Sequence, residues 1–214
     1  MTADGPLRTA IIAATGCDLA WLADALQALG WIVHMAPGGD LTRAPRPAEA
    51  DLIVHCHMPP IAKPTAAAAL SSDDWHRGAM QPMLDTLATL RAAPALLGDR
   101  GAVVGLGPAF ALNGTAGLVA LATAAEGQRT LVKAAARQWL SGPIVCNWIA
   151  VATEMLLPAL ATVPNLGRYA VGTPVRRPPG VAGIAALVDA IAGAAGRAMA
   201  GQTLIADGGD WMVP

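Results

Sequence analysis

The sequence predicts an α/β protein, a doubly wound and largely parallel sheet with helices on both faces. Three observations carry this expectation. Short apolar runs alternate with segments of helical period along the whole of the 214 residues. The first three elements form a strand–helix–strand unit, which implies a parallel pair because the returning strand needs a long crossover. Runs such as Arg8–Thr15 (RTAIIAAT) are apolar at successive positions, as in strands buried on both faces.

The elements follow in order. Arg8–Thr15 is the first strand and ends at Thr15-Gly16. Leu19, Leu22, Leu26 and Leu29 then recur at helical spacing, and Gly30 stands just past the helix end. Trp31–Met35 is the second strand. The stretch Pro37–Pro47 is rich in proline and glycine and reads as loop. Asp51–His55 (DLIVH) is the third strand. Ser71, Ser72, Asp73 and Asp74 form a capping cluster ahead of a helix from Trp75 to Arg91. Gly101–Leu106 is a strand, Gly114–Leu140 a long alanine-rich helical region, and Ile144–Val151 a strand. A helix at Val181–Met199 and a strand at Gln202–Ala206 complete the pattern before Asp207-Gly208-Gly209. No internal repeat is evident. One domain over residues 1–214 is expected, with a shortened loop region at 37–50 and a C-terminal strand and tail at 200–214. Such a sheet binds ligands beyond the C-terminal ends of its strands.

Composition narrows the function. Hydrophobic residues make up 54% of the chain and charged residues 14%, against about 25% charged in an average domain. So few charges predict that part of the surface is buried against other subunits. The net charge is -1 and no basic stripe occurs, Arg176-Arg177 being the densest basic cluster, so nucleic-acid binding has no electrostatic support. Three cysteines, Cys17, Cys56 and Cys146, are odd in number and widely spaced. They do not form a disulfide framework and fit a reducing, cytoplasmic setting. The N-terminal MTADGPLR does not read as a secretory signal. The most membrane-like stretch, Gly142 to Val163, is interrupted by Pro143, Asn147, Glu154 and Pro158, and reads as a buried strand followed by a loop.

The ending GQTLIADGGDWM resembles the C-terminus of short-chain dehydrogenases/reductases, where G-Q-x-L-x-x-D-G-G is characteristic. Other pieces resemble that family in order. Arg8–Gly16 is similar to its first strand and Thr-Gly. DLIVHCHM from Asp51 resembles the strand that ends in Asn-Asn-Ala-Gly, and LSSDDWHRG from Leu70 the entry to its fourth helix. GAVVGLG from Gly101 resembles the strand leading to the catalytic Ser, and GPIVCNWIAV from Gly142 the sixth strand. The resemblance implies a Rossmann-like sheet, shortened after the second strand. Between Val33 and Asp51 the family fits a helix, a strand and another helix. Here there is room for one short strand around Asp40-Leu41-Thr42.

The resemblance also locates what is missing. The family's phosphate cradle, Thr-Gly-x-x-x-Gly-x-Gly, brings backbone close to the pyrophosphate at a helix N-terminus. Here Thr15-Gly16 runs directly into CDLAWLADAL, and the later glycines become Cys17 and Leu19. Asp18 places a carboxylate where phosphate sits. The expectation is a degenerate loop and no cofactor bound by this chain. The family's acid/base Tyr, its Lys, its substrate-orienting Ser and its supporting Asn align with Leu121, Ala125, Pro108 and Pro82. None of these side chains moves a proton. The chain has a single Tyr, Tyr169, and four residues on stands Thr173, so no Tyr-x-x-x-Lys exists. The family's Pro-Gly after the sixth strand is replaced by Val151-Ala152.

Other residues carry weaker signals. His55-Cys56-His57 puts two imidazoles on one strand face, a weak candidate for zinc with His76 as a third ligand. The blander reading is that they fill space left by a cofactor, and no metal is expected. Lys133 lies past the catalytic turn of the long helix, which also carries Glu126, and is expected at a surface or interface. Cys17 is expected to be a small buried filler at a helix start. The Trp residues at 21, 31, 75, 139, 148 and 211 read as core or interface anchors.

The assembly parts of the resembled family are kept: the alanine-rich helix, the Val181–Met199 helix and GQTLIADGG. With the catalytic positions erased, the expectation is a non-catalytic subunit. It would pair with an active short-chain dehydrogenase paralogue, in a hetero-tetramer whose partner holds any NAD(P). Mixed complexes of bacterial catabolic pathways acting on acyl-CoA substrates offer an analogy. Two alternatives stand beside it. One is an oxidoreductase, lyase or isomerase with a remodelled site using His55, His57 and Asn113. The other is a small-molecule binding protein using the vacated cofactor cleft.

Overall fold

The computed structural model describes residues 7–44, 50–59, 64–160 and 179–209, and of 98–100 the backbone alone. Tyr169, Thr173, Arg176, Arg177 and Trp211 lie outside the described residues. Six parallel strands form one sheet, β1 (Arg8–Thr15), β2 (Trp31–Ala36), β3 (Ala50–His57), β4 (Leu97–Pro108), β5 (Val145–Val151) and β6 (Thr203–Ala206), in the order β2-β1-β3-β4-β5-β6. The chain moves outward from β1 to β2, then crosses back and builds the other side from β3. The strand order therefore reverses between β1 and β3. This is the predicted doubly wound α/β sheet.

The central strands are apolar on both faces because both are covered. On one face α1 (Ala20–Ala28) and α6 (Val181–Ala192) bury Leu22, Leu26, Ile184, Val188 and Ile191 against Ala10, Ile12, Leu52, Val54 and Val104. On the other, α3 (Gln81–Leu96) and α4 (Val119–Gln138) bury Leu90, Ala93, Val132 and Ala136 against Ile11, Ile53, Val103 and Trp148. Two hydrogen bonds pin the amino ends of the strands. Thr9 N donates to Asp51 Oδ2 at 2.7 Å, and Trp31 Nε1 donates to Asp189 Oδ1 at 2.9 Å. Arg8 stacks its guanidinium on the Trp31 ring and pairs with the same Asp189 at 2.6 Å.

Several boundaries differ from expectation. The segment after β2 holds no strand at Asp40-Leu41-Thr42. Residues Leu41–Arg43 form a single 3-10 turn, because Asp40 Oδ1 accepts from both the Thr42 amide and its hydroxyl. The helix expected at Trp75–Arg91 starts earlier, as α2 (Ser72–Trp75), which Ser71 caps by accepting from Asp74 N at 3.1 Å. It continues through a π turn at His76–Met80 into α3. Within the Gly114–Leu140 region α4 alone is helical and starts only at Val119, while a 3-10 turn at Ala109–Asn113 precedes the region. After β5, α5 (Thr153–Leu156) opens what was read as loop. The helix expected over Val181–Met199 is two helices, α6 and α7 (Ala194–Ala198), broken at Gly193 with an extended backbone. The break folds α7 so closely onto α6 that a Cβ at Gly196 would overlap the Ile191 carbonyl. Among the described residues no helix is long and apolar enough to cross a membrane.

Candidate functional site at the carboxyl ends of the strands

In a doubly wound sheet the crevice lies where the strand order reverses, here between the ends of β1 and β3. Here the two strand ends stay joined for one more residue. Met58 N donates to Thr15 O at 2.8 Å, so the segment leaving β3 stays bonded to the end of β1. Gly16 has φ 69° and lies on that segment, where a Cβ would overlap the Met58 carbonyl oxygen. From the β2 side Gly39 presses on Thr15, with its Cβ position 2.7 Å from Thr15 Cγ2. Cys17 Sγ sits 3.3 Å from Cys56 Sγ. Leu19, at a position where the resembled family has glycine, is fully buried in the core beneath α1. Asp18 Oδ1 accepts from Ala20 N at 2.8 Å, so the first amide of α1 is taken by the chain's own carboxylate. A phosphate needs such amides free and needs no carboxylate beside them. The residues present do not fit a dinucleotide pyrophosphate.

The catalytic positions inferred from the resemblance are apolar and enclosed. Pro82 is buried near the start of α3, and Pro108 is buried at the last residue of β4, in register with Val151. Leu121 and Ala125, one turn apart on α4, are 6% and 1% exposed. In the other core cluster Trp148 spreads its ring over β4. It stands opposite Gly105 in register, and Cβ atoms on Gly105 and Gly107 would overlap the ring.

His55 and His57 lie on one face of β3, as expected, with ring centroids 5.6 Å apart and planes 22° from parallel. Both are fully buried. His57 Nδ1 is 3.1 Å from Thr15 Oγ1, and its Nε2 is 3.0 Å from Thr89 Oγ1. A hydroxyl both donates and accepts, so the pair of threonines serves either neutral tautomer. Burial pushes the His57 pKa down to about 4. His55 meets the Trp148 ring edge-on at 6.2 Å, and neither of its ring nitrogens has a partner among the described residues. Burial, and to a lesser degree His57, holds it well below the ordinary histidine range. Both rings are neutral at pH 7, which suits a ligand, but the remaining ligands are not assembled. His76 is exposed on the π turn, and no group of three metal-ligating side chains occurs among the described residues. Asn113 is exposed and holds Thr115 at 3.4 Å, so it does not join the histidines.

A polar link that the sequence reading did not single out ties this face together. Gln128, fully buried on α4, donates from Nε2 to the His57 carbonyl at 2.6 Å and accepts from Thr86 Oγ1 at 2.9 Å. Its signal is visible in retrospect. Gln128 falls in the apolar stripe Leu121, Ala125, Val132, and Thr86 and Thr89 fall in that of α3. Polar residues at core positions need each other. Lys133 is exposed, as expected, and Glu126 is paired to Arg129. Cys17 is only half-buried, against the expected buried filler, because α1 begins after it and leaves one side open. Of the six Trp residues, Trp31 and Trp148 are core, while Trp75 is exposed.

The fold has counterparts among solved structures. A short-chain dehydrogenase from Burkholderia cenocepacia J2315 in complex with NADP superposes with a TM-score of 0.71 at 18% identity, over 96% of this chain and 99% of that one. A short-chain dehydrogenase/reductase (glucose/ribitol dehydrogenase) from Brucella melitensis gives 0.72 at 17%, covering 96% and 97%. A blue fluorescent protein from a metagenomic library, in complex with NADPH, gives 0.71 at 19%, covering 96% and 99%. No family model and no curated protein matches. The chain therefore has the fold of the short-chain dehydrogenases/reductases.

Proposed function

We propose that this chain is a degenerate short-chain dehydrogenase/reductase. In this reading it is a non-catalytic subunit, a structural or regulatory partner of an active paralogue. One observation carries the reading. Every position where the family holds phosphate or moves a proton is here filled by packed, apolar or self-satisfied groups. NADP and NADPH accompany two of the solved relatives. Any NAD(P) in this assembly belongs to the partner, in a hetero-tetramer of cytoplasmic setting. A bacterial catabolic pathway on acyl-CoA substrates remains the working analogy.

The pairing surface in this reading is the groove between α3 and α4, an apolar cavity of about 1140 Å³ lined by Met80, Met83, Leu84, Leu87, Thr123 and Glu126 among others. Leu84 and Met80 are 44% and 38% exposed, which suits residues that a second helix pair covers. A ligand in a vacated cofactor cleft is less favoured, since Asp18 occupies the first amide of α1 and Leu19 is buried in the core.

Two results test this. The tagged chain drawn from its host should carry a short-chain dehydrogenase with Tyr-x-x-x-Lys in equal amount, with nicotinamide-dependent activity in the eluate. Leu84→Glu should weaken that pairing about thirty-fold or more, the effect of a charge at an interface anchor worth about 2 kcal/mol, with unchanged circular dichroism. A lone homo-oligomer of the wild-type chain would sink the subunit reading. Separately, millimolar NADP or NADPH should leave the melting temperature of the isolated chain unchanged. A cofactor at 100 times its Kd would add about 2.7 kcal/mol, roughly 5–10 °C for a domain of this size.

A further inference from the structure

The turn that replaces the phosphate cradle brings together two sulfur atoms that are remote in sequence. Cys17 and Cys56 are separated by 39 positions, and their Sγ atoms are 3.3 Å apart. Cys17 Sγ is also 3.5 Å from the Cys56 carbonyl oxygen. The segments that carry them are fixed on each other by the Met58 N to Thr15 O bond and by the seat of Gly16 on Met58. Closing to a disulfide of about 2.05 Å asks for little more than side-chain rotation. Cys17 is half-buried and open to a small reagent, whereas Cys56 is fully enclosed. Cys146 lies in the core on the opposite face of the sheet, so it does not compete.

We propose that Cys17 and Cys56 are a redox-modifiable dithiol, which small-molecule disulfides such as oxidised glutathione convert to an intramolecular disulfide. The bond locks the β1–α1 turn onto β3. The Cys17 thiolate attacks one sulfur of the oxidant, forms a mixed disulfide and releases one reduced thiol. Cys56 then loses its proton and attacks Cys17 Sγ, releasing the second. The balance is a protein dithiol plus one disulfide giving a protein disulfide plus two thiols. The order follows from the site. Contact with Cys17 and burial both hold the Cys56 thiol well above its ordinary range, so the half-exposed Cys17 reacts first.

The test uses the full chain equilibrated with excess oxidised glutathione. Thiols titrated in denaturant should fall from the three of the sequence to one. Intact mass should show the loss of two hydrogens, and peptide mapping should join the Cys17 and Cys56 peptides. The oxidised chain should melt roughly 8–16 °C higher, reversibly with dithiothreitol, as expected for closing a loop of this length. Cys17→Ser and Cys56→Ser should each abolish that rise. The proposal is overturned by three thiols that stay free, by a glutathione adduct that persists on Cys17 without closure, or by a disulfide that brings no rise in melting temperature.

Discussion

Urea denaturation repeated from pH 7 to pH 4.5 should show a steep loss of stability on the acid side, with an onset near 6.5. The cause is the pair of enclosed imidazoles. An unfolded histidine takes a proton near pH 6.5. His57, buried against Thr15 and Thr89, has its pKa lowered to about 4, and His55 is pushed down as well. Above pH 6.5 neither state is protonated and folding carries no penalty. Between 6.5 and about 4 the unfolded chain binds protons that the folded chain refuses, so stability falls with pH. His57 contributes about 1.4 kcal/mol per pH unit in that window. His57 alone thus accounts for about 3 kcal/mol by pH 4, and His55 adds in the same direction. Against a total of about 5–15 kcal/mol this is a large share. Asp40 and Asp74, whose pKa values are also lowered, are exposed carboxylates that act only at more acid pH. On the alkaline side burial raises Cys146 to about 12, so stability declines again above its unfolded value near 9. His55→Phe should make the acid limb shallower by the His55 share while His57 keeps the rest, leaving the plateau between 6.5 and 9 in place. A midpoint that stays constant from pH 7 to 4.5 would show that the rings are hydrated.

The architecture was legible because the strands are unbroken apolar runs and the helices carry their periods plainly. DLIVH and GAVVGLG announce strands buried on both faces, and the leucines at 19, 22, 26 and 29 announce a helix against them. That no Tyr-x-x-x-Lys occurs in the chain needs no geometry to be seen. What was not legible depends on contacts between distant segments. The break at Gly193 lies inside an alanine-rich stretch with no proline, and only the seat of Gly196 on Ile191 explains it. The Gln128–Thr86 bond and the His57 pairing join residues 42, 71 and 32 positions apart. The cysteines were judged by parity and spacing, and neither measure contains the 3.3 Å approach of Cys17 to Cys56. The 3-10 turn at Leu41–Arg43 depended on one side chain, Asp40, capping its own neighbour.

Gly107→Ala should destabilise the protein by about 2–3 kcal/mol, and Gly105→Ala by a similar amount, the cost of forcing one methyl into a filled core. Trp148 is 2% exposed, and its ring covers both glycines. A Cβ at Gly105 would stand 2.6 Å from the ring's Cζ3 and 3.1 Å from His55 Nε2. His55 meets the ring edge-on from β3 and opposes its shift toward that strand. At 2–4 °C per kcal/mol the expected fall in melting temperature is about 5–10 °C for each variant. Trp148→Ala should cost about 3–5 kcal/mol by the opposite defect, a cavity. Because both changes concern one contact, their effects should not add. Gly107→Ala combined with Trp148→Phe should recover part of the loss, and a double-mutant cycle measures the coupling. The outcome also discriminates between readings of this region. In a working site at the end of β4, Gly107→Ala would alter turnover and spare the melting temperature. If Trp148 and its glycines are core, the melting temperature moves by the stated amount, and activity measured on the partner's substrate falls only as the folded fraction does.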